Sequence, residues 1–425
     1  MSKTSSNTLF LLIKSLSKAE KRYFKVFSRI HVISGQNRYV QLFDAVEQQK
    51  NYDEQKLVAE LKDKMSISQF PVMKNYLYNQ VLNAMESYHS SIHNEVRRLL
   101  HRAEFLYEKG LNNQCDFFLA KAKRLAYSNE LYFTVMEILR GLEYRLSLQR
   151  QSINGLKKIH REEKQILACI QTTLEYQNLH DKIYCAYLAA GSVKKNITIK
   201  ELKKTISHPL IKRIDKRLSF GNRYMRYMIK GLYFHMTNNA TQSYHFTKKI
   251  FHLFQKNPEK QKSRLNAYIS NLNNLAIDCS EKKQYIELCH YLEKFKEARS
   301  FTGIHSEGSK TIFHRYSYHV LNYFSKTGRL LDGIEYIKEL KCELKQYEIK
   351  LSELEKTDLF MQIAIFFFTA GEISQCLHWL NRIRNEIKLD VRVDFKTFIM
   401  AFYILAHYES GHYDLLQSIV KSVER

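Results

Sequence analysis

Residues 103–122 read AEFLYEKGLNNQCDFFLAKA and are the most informative segment of the chain about its fold. Gly110 divides this stretch into two halves, and the apolar residues of each half follow the 3.6-residue spacing of an α-helix. Small and large apolar residues alternate at helical spacing in the order Ala103, Leu106, Cys115, Leu119 and Ala122. Small side chains let two helices approach closely, and large ones fill the groove beside the crossing. The stretch therefore predicts a helical hairpin whose turn is at Gly110.

Similar breaks between helical patterns recur along the chain. They lie near or at Arg150, Gly191, Asn238, Lys283, Gly328, Gly371 and Gly411, at intervals of 40 to 47 residues with a mean of 43. Small residues recur seven positions before the turn and five positions after it, at Ala103, Gly231, Ala276 and Ala364 and at Cys115, Ser243, Gly333 and Cys376. The repetition predicts about eight helical hairpins over residues 96–425.

This pattern resembles the tetratricopeptide repeat, in which small and large residues alternate on both helices of a hairpin. The period of about 43 residues exceeds the 34 of that family, and the family's signature tryptophan is missing because the chain's one tryptophan is Trp379. Longer helices, as in bacterial regulators with tetratricopeptide-like arrays, would account for the period, and HEAT-type hairpins would also fit it. The resemblance implies an all-α protein with an α-solenoid that binds a partner on its concave surface, as an adaptor or regulator.

Residues 1–95 do not follow the 43-residue pattern. Ser17 and Glu20 have the spacing of a capping box at the start of a helix that runs to about Ile30. Further helices are predicted at Tyr39–Gln49, Asp53–Met65 and Pro71–His89. The sequence therefore predicts a small all-helical module at 1–95, joined directly to the repeat array at 96–425.

Composition excludes several other classes of protein. Only 13 of the 425 residues are Gly and 3 are Pro, too few for a many-stranded β-sandwich or a Gly-rich nucleotide-binding fold. The seven cysteines form no CxxC pair, which argues against zinc ribbons and indicates a reducing compartment. The longest apolar run, Ile363–Phe368, is much shorter than a bilayer-spanning helix. These features predict a cytoplasmic protein without a membrane span.

The chain is strongly basic, with 67 Lys and Arg against 43 Asp and Glu and a formal net charge of +24. The densest basic segment lies between residues 191 and 230 and would suit the phosphates of a nucleic acid or an acidic peptide, with Tyr224 or Tyr227 available for stacking on bases if exposed. The candidate residues of this acidic-partner or nucleic-acid surface are Lys212, Arg213, Lys216, Arg217, Arg223, Arg226 and Lys230. The alternative is a solvated charged face, because charge alone specifies no partner.

A second basic row follows helical spacing on the N-terminal helix and consists of Lys18, Lys21, Arg22, Lys25 and Arg29. The helix pair predicted at Asp53–Met65 and Pro71–His89 also resembles a helix-turn-helix, although its connection, Ser66–Phe70, is long for that motif and lacks Gly. Polar residues that would then be able to reach base edges are Lys74, Asn75, Asn79, Gln80 and Asn83. The alternative for that helix pair is ordinary helix packing.

Two further patterns resemble chemical motifs without meeting their requirements. Residues 303–310 read GIHSEGSK, in which the last two residues are exchanged relative to the phosphate-binding GxxxxGK[ST]. Glu86, His89 and His93 have helical spacing for metal binding but lack a further acidic or histidine partner. No nucleophile elbow, HExxH or pair of catalytic carboxylates is present.

These observations predict a non-enzymatic interaction protein with no cofactor and no metal. The predicted partner is a protein or peptide, and the alternative function is a nucleic-acid-binding regulator that uses the two basic surfaces. No sequence feature assigns an oligomeric state.

Overall fold

A computed structural model of the chain describes residues 7–30, 38–60, 69–88, 91–191, 199–212, 218–302, 306–387, 393–414 and 416. All regular secondary structure in these ranges is helical, and none of them contains a strand. The all-α prediction is confirmed. The chain divides into two compact units, residues 1–167 and 168–425, and the predicted boundary at residue 95 lies inside the first.

The first unit begins with five helices, α1 (Thr8–Ser15), α2 (Lys18–Ile30), α3 (Arg38–Gln48), α4 (Glu54–Glu60) and α5 (Phe70–Tyr88). The predicted capping box is present at the start of α2. The Ser17 backbone N–H donates to Glu20 Oε2 at 2.6 Å, and the Glu20 N–H donates to Ser17 Oγ at 3.2 Å. Phe24 of α2 stacks on Phe43 of α3 in the buried centre of this module, so the apolar face of α2 is directed inward.

The first unit continues with α6 (Ile92–Glu108), α7 (Asn112–Ser128), α8 (Tyr132–Ile138), a π-helical turn (Leu139–Glu143) and α9 (Tyr144–Gln149). Helices α6 and α7 form the hairpin predicted at residues 103–122. Gly110 has a φ of +71°, a left-handed conformation that glycine adopts without steric cost, and Ala103 and Cys115 are fully buried. A second predicted turn near Arg150 is present, with Gln151 at a φ of +50°.

Helix α10 (Ile153–Gly191) departs from the predicted pattern. Two neighbouring hairpins would need a turn between residues 151 and 191, but this helix is continuous for 39 residues. Its interior contains no proline and only Gly155 before the terminal Gly191, so nothing in this segment interrupts the helix. The regular succession of hairpins is therefore broken here, and α10 begins in the first unit and ends in the second.

The second unit contains the remaining helices. They are α11 (Ile199–Ile206), α12 (Pro209–Lys212), α13 (Phe220–Met236), α14 (Ala240–Gln255), α15 (Pro258–Ser263), α16 (Leu265–Glu281), α17 (Tyr285–Arg299), α18 (Glu307–Thr327), α19 (Leu330–Tyr347), α20 (Glu353–Thr369), α21 (Ile373–Glu386) and α22 (Val393–Glu409). A short 3₁₀ turn, Glu348–Lys350, follows α19. The predicted turn residues Asn238, Lys283, Gly328 and Gly371 join α13 to α14, α16 to α17, α18 to α19 and α20 to α21, each with a positive φ.

Close helix packing explains the small residues beside these turns. Ala276, Ala364 and Cys376 are fully buried. A methyl group on Gly333 of α19 would lie 2.3 Å from Cε2 of Phe366 on α20, which is too close for any side chain. The small residues therefore stand where neighbouring helices approach most closely, as the sequence predicts.

Candidate partner-binding site

The basic row on α2 is partly neutralised by α3. Lys25 Nζ lies 2.7 Å from Asp44 and 3.0 Å from Glu47, and Lys21 Nζ lies 3.4 Å from Glu47. The hydrogen bond to Asp44 raises the pKa of Lys25. Lys18, Arg22 and Arg29 are exposed and have no acidic partner among the residues described. Three of the five predicted cations therefore remain available to a partner.

The basic row on α13 is directed largely into the protein. Arg226 is only 7% exposed, and its Nε donates to the carbonyl of Ile211 at 3.1 Å. Arg223 Nη2 donates to the carbonyl of Leu218 at 2.8 Å. Lys230 is half-buried, lies 5.4 Å from the ring centre of Phe246, and has a pKa lowered by desolvation. These three candidate binding residues are therefore engaged within the protein and are not exposed as a binding surface requires.

The other predicted residues of this segment are placed differently. Lys212 is exposed at the end of α12, whereas Arg213, Lys216 and Arg217 lie outside the described residues. Tyr224 and Tyr227 are partly buried, with ring centres 6.1 Å from Phe254 and 6.2 Å from Phe246 respectively. The two tyrosines therefore pack against the core instead of standing free for bases.

Residues of the phosphate-motif-like segment and of the predicted helix-turn-helix form bonds within the protein. Ser309 and Lys310 lie in the first turn of α18, where Ser309 Oγ is 2.8 Å from Tyr347 Oη and Lys310 pairs with Glu307 and Glu355. Lys74 of the predicted helix-turn-helix pairs with Glu54 at 2.8 Å.

The metal motif is divided between two helices. Glu86 is on α5, His93 is on α6 and His89 lies outside the described residues. Within the described ranges, no three His, Cys, Asp or Glu side chains are grouped as a metal site would require.

A polar ladder joins α16 and α18. Arg315 Nη1 donates to Ser270 Oγ at 3.1 Å, and Asn322 Nδ2 donates to Ser280 Oγ at 3.1 Å. Between these bonds, His319 Nε2 lies 3.0 Å from Asn273 Oδ1. The partners are separated by 45, 42 and 46 residues in sequence. The first helices of two consecutive hairpins, α16–α17 and α18–α19, are therefore linked by hydrogen bonds.

His319 is the deepest member of this ladder. It is 1% exposed, and desolvation lowers its pKa to about 3, so the ring is neutral near pH 7. Because Asn273 Oδ1 is an acceptor, Nε2 of the neutral ring is the donor. Nδ1 is then a bare acceptor, and it has no hydrogen-bond partner in the part of the chain that the structure describes. The histidine serves here as a fixed polar group of the helix layer.

A cavity of about 190 Å³ lies between α13, α14 and α16, with Tyr187 of α10 at its edge. Tyr187, His235, Asn274 and Ile277 are the exposed members of its lining, and buried Thr247, Ile250 and Asn271 lie deeper. The remaining lining residues are Tyr227, Met228, Gly231, Leu232, Ser243 and Asp278. The cavity therefore combines apolar and aromatic walls with several polar groups, as ligand pockets commonly do.

The polar groups deep in this cavity are hydrogen-bond acceptors. Ser243 Oγ donates its proton to the carbonyl of Gly231 at 3.3 Å, and Thr247 Oγ1 donates to the carbonyl of Ser243 at 3.1 Å. Asn271 Nδ2 donates to the carbonyl of Thr247 at 3.0 Å. The buried Asn271 Oδ1 accepts from no described residue. The two hydroxyls and the amide oxygen thus retain lone pairs, while both hydroxyl protons and one proton of the Asn271 amide are engaged.

Asp278 adds a carboxylate to these acceptors. Desolvation raises its pKa to about 6, against a smaller opposing effect of Lys282. It has no ion-pair partner among the described residues. A carboxyl group whose ionisation is disfavoured by burial is typical of functional sites, because an uncharged residue at that position would make the fold more stable.

This cavity was not predicted, although its lining leaves a signal in the sequence. Asn271, Asn274 and Asp278 follow i, i+3 and i+7 spacing and so lie on one face of a helix that is otherwise rich in apolar residues. Charge density favours the lysines and arginines as binding residues instead, because Asn271, Asn274 and Asp278 together carry only one charge.

Comparison with protein-family models, with curated proteins and with solved structures gives no match for this chain. Among the helices that the structure describes, none is long and apolar enough to cross a bilayer.

Proposed function

We propose that the chain is a non-enzymatic helical-repeat protein of the cytoplasm that binds a protein or peptide partner. In this proposal the repeats form an α-solenoid of about eight hairpins with a period near 43 residues, preceded by the small N-terminal module. The regular repeat is interrupted at α10, a single continuous helix that belongs to two hairpins. The partner lies on the concave surface, which the first helices of the hairpins line.

The observation that carries the proposal is the polar ladder between α16 and α18. Its bonds join residues 42 to 46 positions apart, which is the separation of equivalent positions in neighbouring repeats. The second helices are linked at similar separations, as Tyr244 Oη donates to Glu287 at 2.6 Å over 43 residues and Arg299 pairs with Glu343 over 44. Rigid helices that hold polar side chains at fixed positions favour recognition of an extended peptide.

Selection of peptides on the full-length chain tests this function. Random peptides displayed on phage are selected on the immobilised protein, and enriched sequences are measured by calorimetry. Asn274 is exposed beside the cavity on α16, so Asn274→Arg should weaken binding at least tenfold through bulk and charge. Asn113→Arg makes the same change at an exposed position in the first turn of α7 and should leave affinity unchanged. Failure to enrich any peptide would contradict the proposed function, and equal binding by both variants would contradict the placement of the peptide on the α16 surface.

The second candidate function is binding of nucleic acid through α2. The observation that favours it is the exposed row of Lys18, Arg22 and Arg29 in a chain with a net charge of +24. The basic surface available to a nucleic acid is smaller than the sequence predicts, because Lys21 and Lys25 are paired with acidic residues.

A further inference from the structure

We propose that the cavity between α13, α14 and α16 binds a cationic group, an ammonium or a guanidinium, carried by the partner peptide. This inference rests on the proposed function for the source of that group. The lining of the cavity includes Asp278 as the counter-charge, and Asn271, Ser243 and Thr247 as residues whose side-chain oxygens retain lone pairs.

The distribution of hydrogen-bond donors and acceptors selects the chemistry of the ligand. A buried acceptor without a donor carries a desolvation cost, and Asn271 is 4% exposed with Oδ1 unsatisfied by any described residue. Ser243 and Thr247 cannot donate to a ligand without releasing backbone carbonyls. An ammonium or a guanidinium carries only donors and a positive charge, so it complements these groups and Asp278 together.

The size of the cavity selects a side chain or a chain terminus over a larger ligand. Its volume of about 190 Å³ is below the range of roughly 300–1,000 Å³ that is usual for drug-sized molecules. Met228, Leu232 and Ile250 provide apolar walls for an aliphatic stem, and Tyr187 presents an aromatic ring at the edge. Aromatic rings attract cations through their electron-rich faces. A single carboxylate is too few for a dedicated divalent-metal site.

Methyl NMR spectroscopy tests this inference directly on the full chain. Met228 lines the cavity, is one of ten methionines, and can be assigned with Met228→Leu. The probes are n-butylammonium and n-butylguanidinium, with n-butanol and butyrate as neutral and anionic controls of similar size. At pH 8 the Asp278 carboxylate is ionised, and we expect saturable shifts of the Met228 signal with the cations at millimolar concentrations. Equal shifts with n-butanol, or no shift with either cation, would overturn the inference.

A pair of carboxyl variants locates the counter-charge. Asp278→Asn should weaken binding of the cationic probe by roughly tenfold or more, because a charge-assisted hydrogen bond is lost. Glu281→Gln removes an exposed carboxylate from the same helix outside the cavity lining and should change binding less than twofold. Equal loss in both variants would mean that general electrostatics and not the cavity attracts the probe, and would overturn the assignment.

The peptide selection separates failure of this inference from failure of the proposed function. If the Met228 signal responds to the cations but no peptide is enriched, the cavity inference stands and the proposed function fails. If enriched peptides bind Asp278→Asn as tightly as the parent protein, the function stands and the cavity inference fails. Among enriched peptides, acetylation of the amino terminus distinguishes a terminal ammonium from a lysine or arginine side chain.

Discussion

Helices α2 and α13 both carry rows of cations in the sequence, but these cations differ in burial and in their bonding partners. On α2 the row borders solvent. Among the described residues, Asp44 and Glu47 of α3 neutralise Lys21 and Lys25 of this row. On α13 the Arg226 guanidinium is buried and donates to the end of α12. The comparison teaches that the number of charges on a helix indicates a binding surface only after burial and partners are known.

Replacement of one arginine in each helix should produce the largest difference. Arg226→Gln removes the bonds to the carbonyls of Ile211 and Lys212 and leaves these groups poorly satisfied. We expect a loss of about 2–3 kcal/mol in unfolding free energy, because bonds from charged donors are worth about 1.5–3 kcal/mol. Arg22→Gln, at an exposed position, should remain within about 0.5 kcal/mol of the parent. Urea unfolding followed by circular dichroism measures both, and equal stability of the two variants would contradict the contrast.

Salt dependence of nucleic-acid retention should show an intermediate effect if the second candidate function holds. Replacing Lys18, Arg22 and Arg29 with Gln removes up to three phosphate contacts, so the slope of log affinity against log salt should decrease by about 3. Lys230→Gln, on the half-buried cation of α13, should leave that slope unchanged. Filter binding to generic RNA and DNA between low and physiological salt provides the measurement. A slope altered equally by both changes would show that the two rows do not differ as surfaces.

The smallest effect is expected at the ion pairs of α2 with α3. Burial opposes ionisation of Glu47, but the bonds from Lys25 and Lys21 prevail and lower its pKa. A lowered pKa in the folded state stabilises the protein above the pKa of the unfolded state, and this stabilisation is lost as pH falls through the folded pKa. Glu47→Gln should therefore cost about 0.5–1 kcal/mol at pH 7, since the pair is partly exposed.

Measurement of that difference at acidic pH supplies the control. As the pH falls through the lowered pKa of folded Glu47, the parent and Glu47→Gln should converge in stability, because the carboxyl group becomes protonated in both the folded and unfolded parent. A difference that persists unchanged down to the lowest pH at which the fold survives would indicate lost packing and not a lost ion pair.

Local features were predicted well because they depend on few neighbours. The capping box of Ser17 and Glu20 and the turn at Gly110 follow from backbone preferences within one helical turn. The long helix α10 was not predicted, because regular intervals suggested a turn where the chain contains no turn-forming residue. At that place local helix propensity predicts the continuous helix that is observed, whereas the regular spacing of turns does not.

The candidate cavity depended on information that lies far apart in the sequence. Its acceptors belong to α14 and α16, and whether they retain lone pairs depends on which carbonyls their protons reach. Asn271 and Asp278 are visible in sequence as polar residues on one helix face, but nothing in the sequence states that Tyr187 and Met228 would enclose them.

Sequence was sufficient to predict the helical class, the turns at Gly110, Asn238, Lys283, Gly328 and Gly371 and the small residues at helix crossings, because spacing, φ preferences and side-chain size act locally. Which cations face solvent and which donate to buried carbonyls depends on the packing of the helices, as the contrast of Arg22 with Arg226 shows. The same packing places Asp278 in an acceptor-rich cavity. Desolvation and hydrogen-bond satisfaction depend on neighbours supplied by other helices, so they arise only when the helices pack together.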